Sequence, residues 1–185
     1  MLIPLRWSAQ TDEHLMQRAA RGSERAFEEL YNRHARRLQG FFVRRLGDHS
    51  DLAADFMHDT FLRLYAARET YHEGCSFRAW LYTIAYNLLK NHLRNQLTVV
   101  HEVKEVVEDS CIEVNIDKTI LHDVLRDVLK TLPAPYAILF SLHYEEELSI
   151  PQIAQITDLP EGTVKSRIHK AMNTIKQQLR EYENR

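Results

Sequence analysis

The sequence predicts an all-α protein of two small helical domains joined by a flexible tether. Three observations carry this expectation. Glycine and proline are scarce, at five each in 185 residues. Apolar residues recur at three- and four-residue intervals through most of the chain, the spacing of helices that bury one face. The pattern fails over residues 98–116, TVVHEVKEVVEDSCIEVNI, where β-branched residues mix with acids and no helical stripe survives. The expected units are 12–97 and 117–183, with 98–116 as the linker.

Residues 12–47 read as helices because Phe27, Leu30, Tyr31, His34, Leu38, Phe41 and Phe42 form one bundle face. A break follows at Gly47-Asp48-His49-Ser50, where Asp48 or Ser50 is suited to cap a helix over Asp51–Ala67. On that helix Asp51, Asp55 and Asp59 form a ladder of like charge at i, i+4 and i+8. Each such pair costs an isolated helix a few tenths of a kcal/mol, roughly. A solvated acidic face accounts for the ladder, and so does a docking surface for a basic protein; DNA is repelled from it in either case.

A second break, Tyr71-His72-Glu73-Gly74-Cys75-Ser76, precedes a long helix from Phe77 to about Asn95. Its apolar side carries Phe77, Leu81, Ile84, Ala85 and Leu88, and its other side carries Trp80, Thr83, Asn87, Lys90, Asn91 and Arg94. No carboxylate occurs from Gly74 to His101. An aromatic plane, amides and cations without acids suit nucleic acid: unpaired bases stack on rings for about 1–3 kcal/mol each while Lys and Arg follow the phosphates. The preceding loop, with Tyr71, His72, Cys75 and Ser76, has the composition of a pocket for an extruded base.

Helical patterning resumes at about Asp117, and Pro133 and Pro135 are expected to separate that helix from Tyr136–Tyr144. Leu148 to Leu179 then reads as a helix, a turn at Leu159-Pro160-Glu161-Gly162, and a second helix opening at Thr163. Val164, Ile168, Ala171, Met172, Ile175 and Leu179 fall on its buried face. Lys165, Ser166, His169, Lys170, Asn173 and Lys176 point away, with Arg167 at their edge. Five Lys or Arg residues and no acid lie between Gly162 and Arg180. A short basic helix set at an angle to its partner by a tight turn fits the major groove of DNA.

Net charge is −2, but it is segregated. Residues 1–47 sum to +4, 48–73 to −4, 74–100 to +3 and 101–130 to −4. Such alternation suits a protein that meets DNA with some surfaces and a different partner with others. The apolar runs are too short for a membrane span, and the N-terminus lacks the layout of a signal peptide. Cys75 and Cys111 form no metal-ligand pattern and suit a reducing cytoplasm. The ten histidines are scattered, so neither a metal nor another cofactor is expected. No nucleophile–base constellation converges within a motif, so an enzyme is not expected either.

Three segments, DLAADFMHDTFLRLYAAR, GCSFRAWLYTIAYNLLKNHLRN and LPAPYAILFSLHYEEELSIPQIAQITDLPEGTVKSRIHKA, resemble successive motifs of the extracytoplasmic-function (ECF) sigma factors of bacterial RNA polymerase. The resemblance spans about residues 12–180. It implies a sigma region 2 bundle followed by a region 4 helix-turn-helix. The family's helix that grips the clamp coiled coil of the polymerase largest subunit matches Asp51–Tyr65, which makes Asp51, Asp55, Asp59, Thr60, Leu62 and Arg63 the implied contacts. The melting and minus-ten region matches Tyr71–Arg94. There Trp80, Asn87 and Arg94 are implied to part the strands and hold the non-template strand, with Thr83, Lys90 and Asn91 beside them and the loop of Tyr71, His72 and Ser76 capturing a flipped base. The minus-thirty-five reader matches Thr163–Asn173, with Thr163, Lys165, Ser166, Arg167, His169, Lys170 and Asn173 towards DNA.

Family members are often held inactive by anti-sigma proteins, so the resemblance admits an anti-sigma factor or another protein regulator as a partner. The chain departs from the family pattern at Tyr86, where Arg or Lys is common, at Asn91, where Asp is common, and at Pro151, where Glu is common. Asn91 lies on the DNA stripe and leaves the recognised bases open. The competing reading is a free-standing helix-turn-helix regulator. It accounts for Thr163–Lys176 but gives the acidic ladder and the acid-free aromatic helix no role.

Overall fold

The computed structural model describes residues 9–47, 50–97, 129 and 131–183. The tether at 98–116, the capping role of Asp48 and the setting of Cys111 lie outside these residues. All regular elements among the described residues are helical. The chain divides after Asn95 into two compact units.

The first unit contains α1 (Asp12–Ala20), α2 (Glu24–Leu46), α3 (Ser50–Ala66), a 3-10 turn (Arg68–Thr70) and α4 (Phe77–Leu97). Thr11 caps α1 by accepting from the His14 N–H at 3.3 Å, and Ser23 caps α2 by accepting from the Ala26 N–H at 3.4 Å. Between them the chain reverses at Gly22, whose φ of 93° lies where a side chain is strained. The helices expected over 12–47 are two, divided at this glycine. Leu15 and Met16 of α1, Leu30, Leu38, Phe41 and Phe42 of α2, Leu64 of α3 and Phe77, Leu81, Tyr82 and Leu89 of α4 are buried together. Phe41 meets Phe42 and Tyr82 edge-on, each at 5.5 Å between centroids, an arrangement worth about 0.5–1.5 kcal/mol beyond the area buried.

The second unit contains α5 (Ala134–Phe140), which continues as a π-helical turn over Ser141–Glu145, then α6 (Ile150–Thr157) and α7 (Glu161–Glu183). Pro135 lies within the first turn of α5 rather than in a separating segment, a place where its missing N–H has no helical partner to lose. Leu129, Leu132, Ala137 and Phe140 bury against Ala171 and Ile175 of α7, with Tyr136, Met172 and Leu179 at the margin. Ile153 and Ile156 of α6 and Val164 and Ile168 of α7 are buried where those helices pack. Ser149 and Gln152 form a reciprocal capping box at the start of α6, and Pro151 sits in that same first turn.

Candidate nucleic-acid and protein interfaces

α4 separates its two faces as its pattern demands. Phe77, Leu81, Ala85 and Leu88 are buried, whereas Asn87, Lys90, Asn91 and Arg94 are exposed and Trp80 and Thr83 are half-buried. Thr83 spends its hydroxyl on the Ala79 carbonyl at 2.8 Å, so it contributes a methyl and an acceptor to the stripe.

The loop before α4 is built by its own hydrogen bonds. Gly74 takes a φ of 89°, the Cys75 N–H donates to the His72 carbonyl at 3.2 Å, and the Tyr71 hydroxyl donates to the Cys75 carbonyl. Ser76 is the N-cap of α4 and accepts from the Ala79 N–H at 3.3 Å. Phe77 donates its own N–H to the Glu13 carboxylate of α1 at 3.2 Å. The Tyr71 ring lies on Trp80 at 5.2 Å between centroids. His72 and Cys75 point into solvent. Burial, with the negative charges of Glu13, Cys75 and Asp12 behind it, pushes the Tyr71 phenol up to about 12. It is a neutral hydrogen-bond donor at physiological pH.

Beside this loop lies a cleft of about 300 Å³ lined by Gln17, Ala20, Arg21, Glu69, Tyr71 and Glu73. Its volume is at the lower end for ligand clefts. Its two glutamates repel phosphate but can accept from the exocyclic amine of a base. Three of its six lining residues come from α1 and its C-cap, Arg21. Sequence reasoning missed them, because nothing local marks a contact across some fifty residues.

On α3, Asp51 and Asp55 are exposed, and Asp59 pairs with Arg63 one turn on at 3.0 Å. Leu62 is 68% exposed on the same face, beside the exposed Tyr65. Tyr65 and His58 extend this face, and Arg68 covers the Tyr65 ring at 4.2 Å. Thr60 does not belong to it. It is fully buried on the opposite side of α3 and donates its hydroxyl to the Phe56 carbonyl at 2.7 Å. Sixty and fifty-nine differ by one position, and one position on a helix turns a side chain by 100°.

In the second unit α7 starts at Glu161, so the turn is Asp158-Leu159-Pro160 and not Leu159 to Gly162. Asp158 makes the turn by adopting a left-handed backbone, φ 57° and ψ 41°. Gly162 lies inside the first helical turn, with open space where a Cβ would be. Lys165 and Ser166 are exposed, and Thr163, Arg167, His169, Lys170 and Asn173 are half-buried along the same helix. Ser166 donates to the Thr163 carbonyl at 3.1 Å, and the Lys170 ammonium lies 5.5 Å from the centre of the Tyr136 ring.

Among the described residues no three His, Cys, Asp or Glu side chains are grouped to hold a metal ion. Among the same residues no helix is long and apolar enough to cross a membrane.

Comparison with known proteins finds the same order of parts. The family described as Sigma-70 region 2 matches residues 30–98, and that described as Sigma-70, region 4 matches residues 122–175. The ECF RNA polymerase sigma factor SigW of Bacillus subtilis is 27% identical over 179 residues, covering 87% of this chain and 92% of that protein. The RNA polymerase sigma-H factor of Pseudomonas aeruginosa is 30% identical over 177 residues, covering 89% of this chain and 91% of that protein. Among solved structures, the co-crystal of the sigma factor RpoE with the anti-sigma factor NepR from Bartonella quintana matches with a TM-score of 0.64 at 23% identity. That match covers 83% of this chain and 96% of that one, and is a likeness of fold.

Proposed function

This chain belongs to the extracytoplasmic-function sigma factors of the sigma-70 family, and from that premise we propose how its surfaces divide the work of starting transcription. It binds core RNA polymerase, recognises promoter DNA and opens it. Docking falls to α3. Asp51, Asp55, Asp59, Leu62 and Arg63 offer a mixed acidic and apolar strip to the clamp coiled coil of the largest subunit, without Thr60.

Opening falls to α4 and its loop. Trp80 supplies the stacking plane at the edge of the unpaired region, Asn87 and Asn91 supply amides, and Lys90 and Arg94 follow the non-template phosphates. Thr83, Tyr71, His72 and Ser76 complete the surface that receives an extruded base. The glutamates at the cleft admit a base and turn away its phosphate. Minus-thirty-five recognition falls to α7, where Lys165 and Ser166 stand furthest out, with Thr163, Arg167, His169, Lys170 and Asn173 along the groove.

The chain performs no bond chemistry of its own; the polymerase does the phosphoryl transfer. It acts where the polymerase is, in the cytoplasm. The Bartonella quintana protein was solved with an anti-sigma factor. A partner of that kind, covering the α3 strip or α7, would hold this chain inactive.

One observation carries this reading over a free-standing regulator. The first unit presents an acidic, partly apolar face on α3 and an acid-free aromatic and cationic face on α4. A regulator that only reads duplex DNA needs neither. The test is a pull-down with sigma-free core polymerase followed by run-off transcription from a genomic fragment library. Stoichiometric binding with start sites that depend on this chain is expected. Duplex binding by the chain alone without core association would overturn it.

A further inference from the structure

We propose that Glu13 is a positioning residue for promoter opening: its carboxylate ties α1 to the first N–H of α4 and so holds the Tyr71–Ser76 loop and the adjoining cleft in the shape that receives an unpaired base. This rests on the reading of α4 and its loop given above.

The first four N–H groups of a helix have no partner inside it. In α4 two of them are met by side chains of different origin. Ser76 serves the Ala79 N–H from next door, and Glu13 serves the Phe77 N–H from 64 residues away, at 3.2 Å. A carboxylate is suited to this place, since the helix dipole is positive there and the segment from Gly74 to His101 brings no acid of its own. The bond fixes the exit of the loop at its last turn. The loop's own hydrogen bonds fix its internal shape, and the place of Phe77 fixes where that shape meets α4.

Glu13 is itself held firmly. Its neighbour Asp12 bonds Arg33 at 2.9 Å and His34 at 2.7 Å, both on α2, and Leu15 and Met16 are fully buried. From the following turns of the same helix and its C-cap, Gln17, Ala20 and Arg21 form one wall of the cleft, and Tyr71 and Glu73 of the loop stand on the other. Glu13 thus joins the two walls. Because the apolar core holds α1 without it, loss of the carboxylate should release the loop and leave the fold.

The test uses the full chain assembled with core polymerase, comparing wild type, Glu13→Ala, Glu13→Gln and Trp80→Ala. Affinity is measured for a fork-junction promoter with an intact non-template strand and for one whose unpaired minus-ten bases are replaced by abasic sites. Wild type should lose about tenfold when the bases are removed, the scale of one stacked base. Glu13→Ala should bind the intact fork several-fold more weakly and be nearly indifferent to the abasic strand, while its core affinity and far-UV circular dichroism stay as in wild type. Glu13→Gln should recover most of the discrimination, since its amide oxygen still accepts from Phe77.

Full base discrimination by Glu13→Ala would overturn the proposal. So would a Glu13→Gln variant as indifferent as Glu13→Ala, or an Ala variant that loses core binding and helicity together. If Trp80→Ala also discriminated like wild type, the opening role of α4 would fail, and the inference with it.

Discussion

Tyr71 and Trp80 lie ring against ring, their planes inclined by 40° and their centroids 5.2 Å apart. The pair joins the loop to the exposed side of α4, and the tyrosine is fixed from behind by its bond to the Cys75 carbonyl. On the role proposed for Trp80, the stacking plane is set in place before any base arrives, which spares the ordering cost at the moment of melting. Trp80→Ala should leave core association intact and stop the promoter at the closed complex. Permanganate footprinting checks this: thymines reactive with wild-type holoenzyme should be unreactive with the variant.

Reversing Asp55 and Asp59 to Lys should weaken core binding by at least about tenfold, since like charges brought together at a docking face cost several kcal/mol, roughly. Folding should hardly change. Asp59 and Arg63 form an exposed i,i+4 pair, worth about 0.3–0.5 kcal/mol. Fluorescence anisotropy against core polymerase, beside a thermal melt, separates the two effects. Thr60→Ala is the contrasting case: it removes a buried bond to Phe56 and should shift the melt without a specific loss of core affinity.

Lys165→Ala combined with Arg167→Ala should weaken binding of the holoenzyme to minus-thirty-five duplex and leave core binding unchanged. If both side chains meet phosphates, the slope of log affinity against log salt should become shallower by about 2, near one per contact removed. A salt titration of promoter binding reads this slope directly. An unchanged slope with weaker binding would move both of them to base edges, and a change of about 1 would move one.

Asp12 makes stability depend on acid. Burial raises its carboxyl, but hydrogen bonds and charge from His34 and Arg33 outweigh that, and it sits below the ordinary 3.8. The folded state therefore binds this proton less readily than the unfolded one. The stabilisation is present above about pH 4 and is lost as pH falls through the folded value. Asp12→Asn should cost about 1–3 kcal/mol at pH 7. Urea unfolding at pH 7, 5 and 3 should show the gap between wild type and variant closing only at the lowest pH.

Periodicity made the helices legible, because burial of one face is a local property of spacing. The division of α4 into Phe77, Leu81 and Ala85 against Asn87, Asn91 and Arg94 follows from it directly. Two departures from the expected pattern have physical causes. Pro160 beside Gly162 resembles turn chemistry, yet the left-handed residue is Asp158, and the glycine is helical. Thr60 follows the acidic ladder in sequence but is turned by 100° into the core. The tie from Glu13 to Phe77 and the α1 wall of the cleft were illegible for a different reason: they join residues that only the folded bundle brings together.

Gly162 offers a separation that few positions in a DNA-binding protein allow. Its backbone is helical, and no atom lies within 4 Å of a Cβ placed there. Nothing inside the molecule asks for glycine. Gly162→Ala should therefore be stabilising, by up to about 1 kcal/mol from the unfolded chain's lost freedom. A methyl group at this point is a probe with one face: any harm it does to promoter use must come from what lies outside the protein. Melting temperature and promoter affinity moving in opposite directions would measure how near the DNA backbone comes to the start of α7.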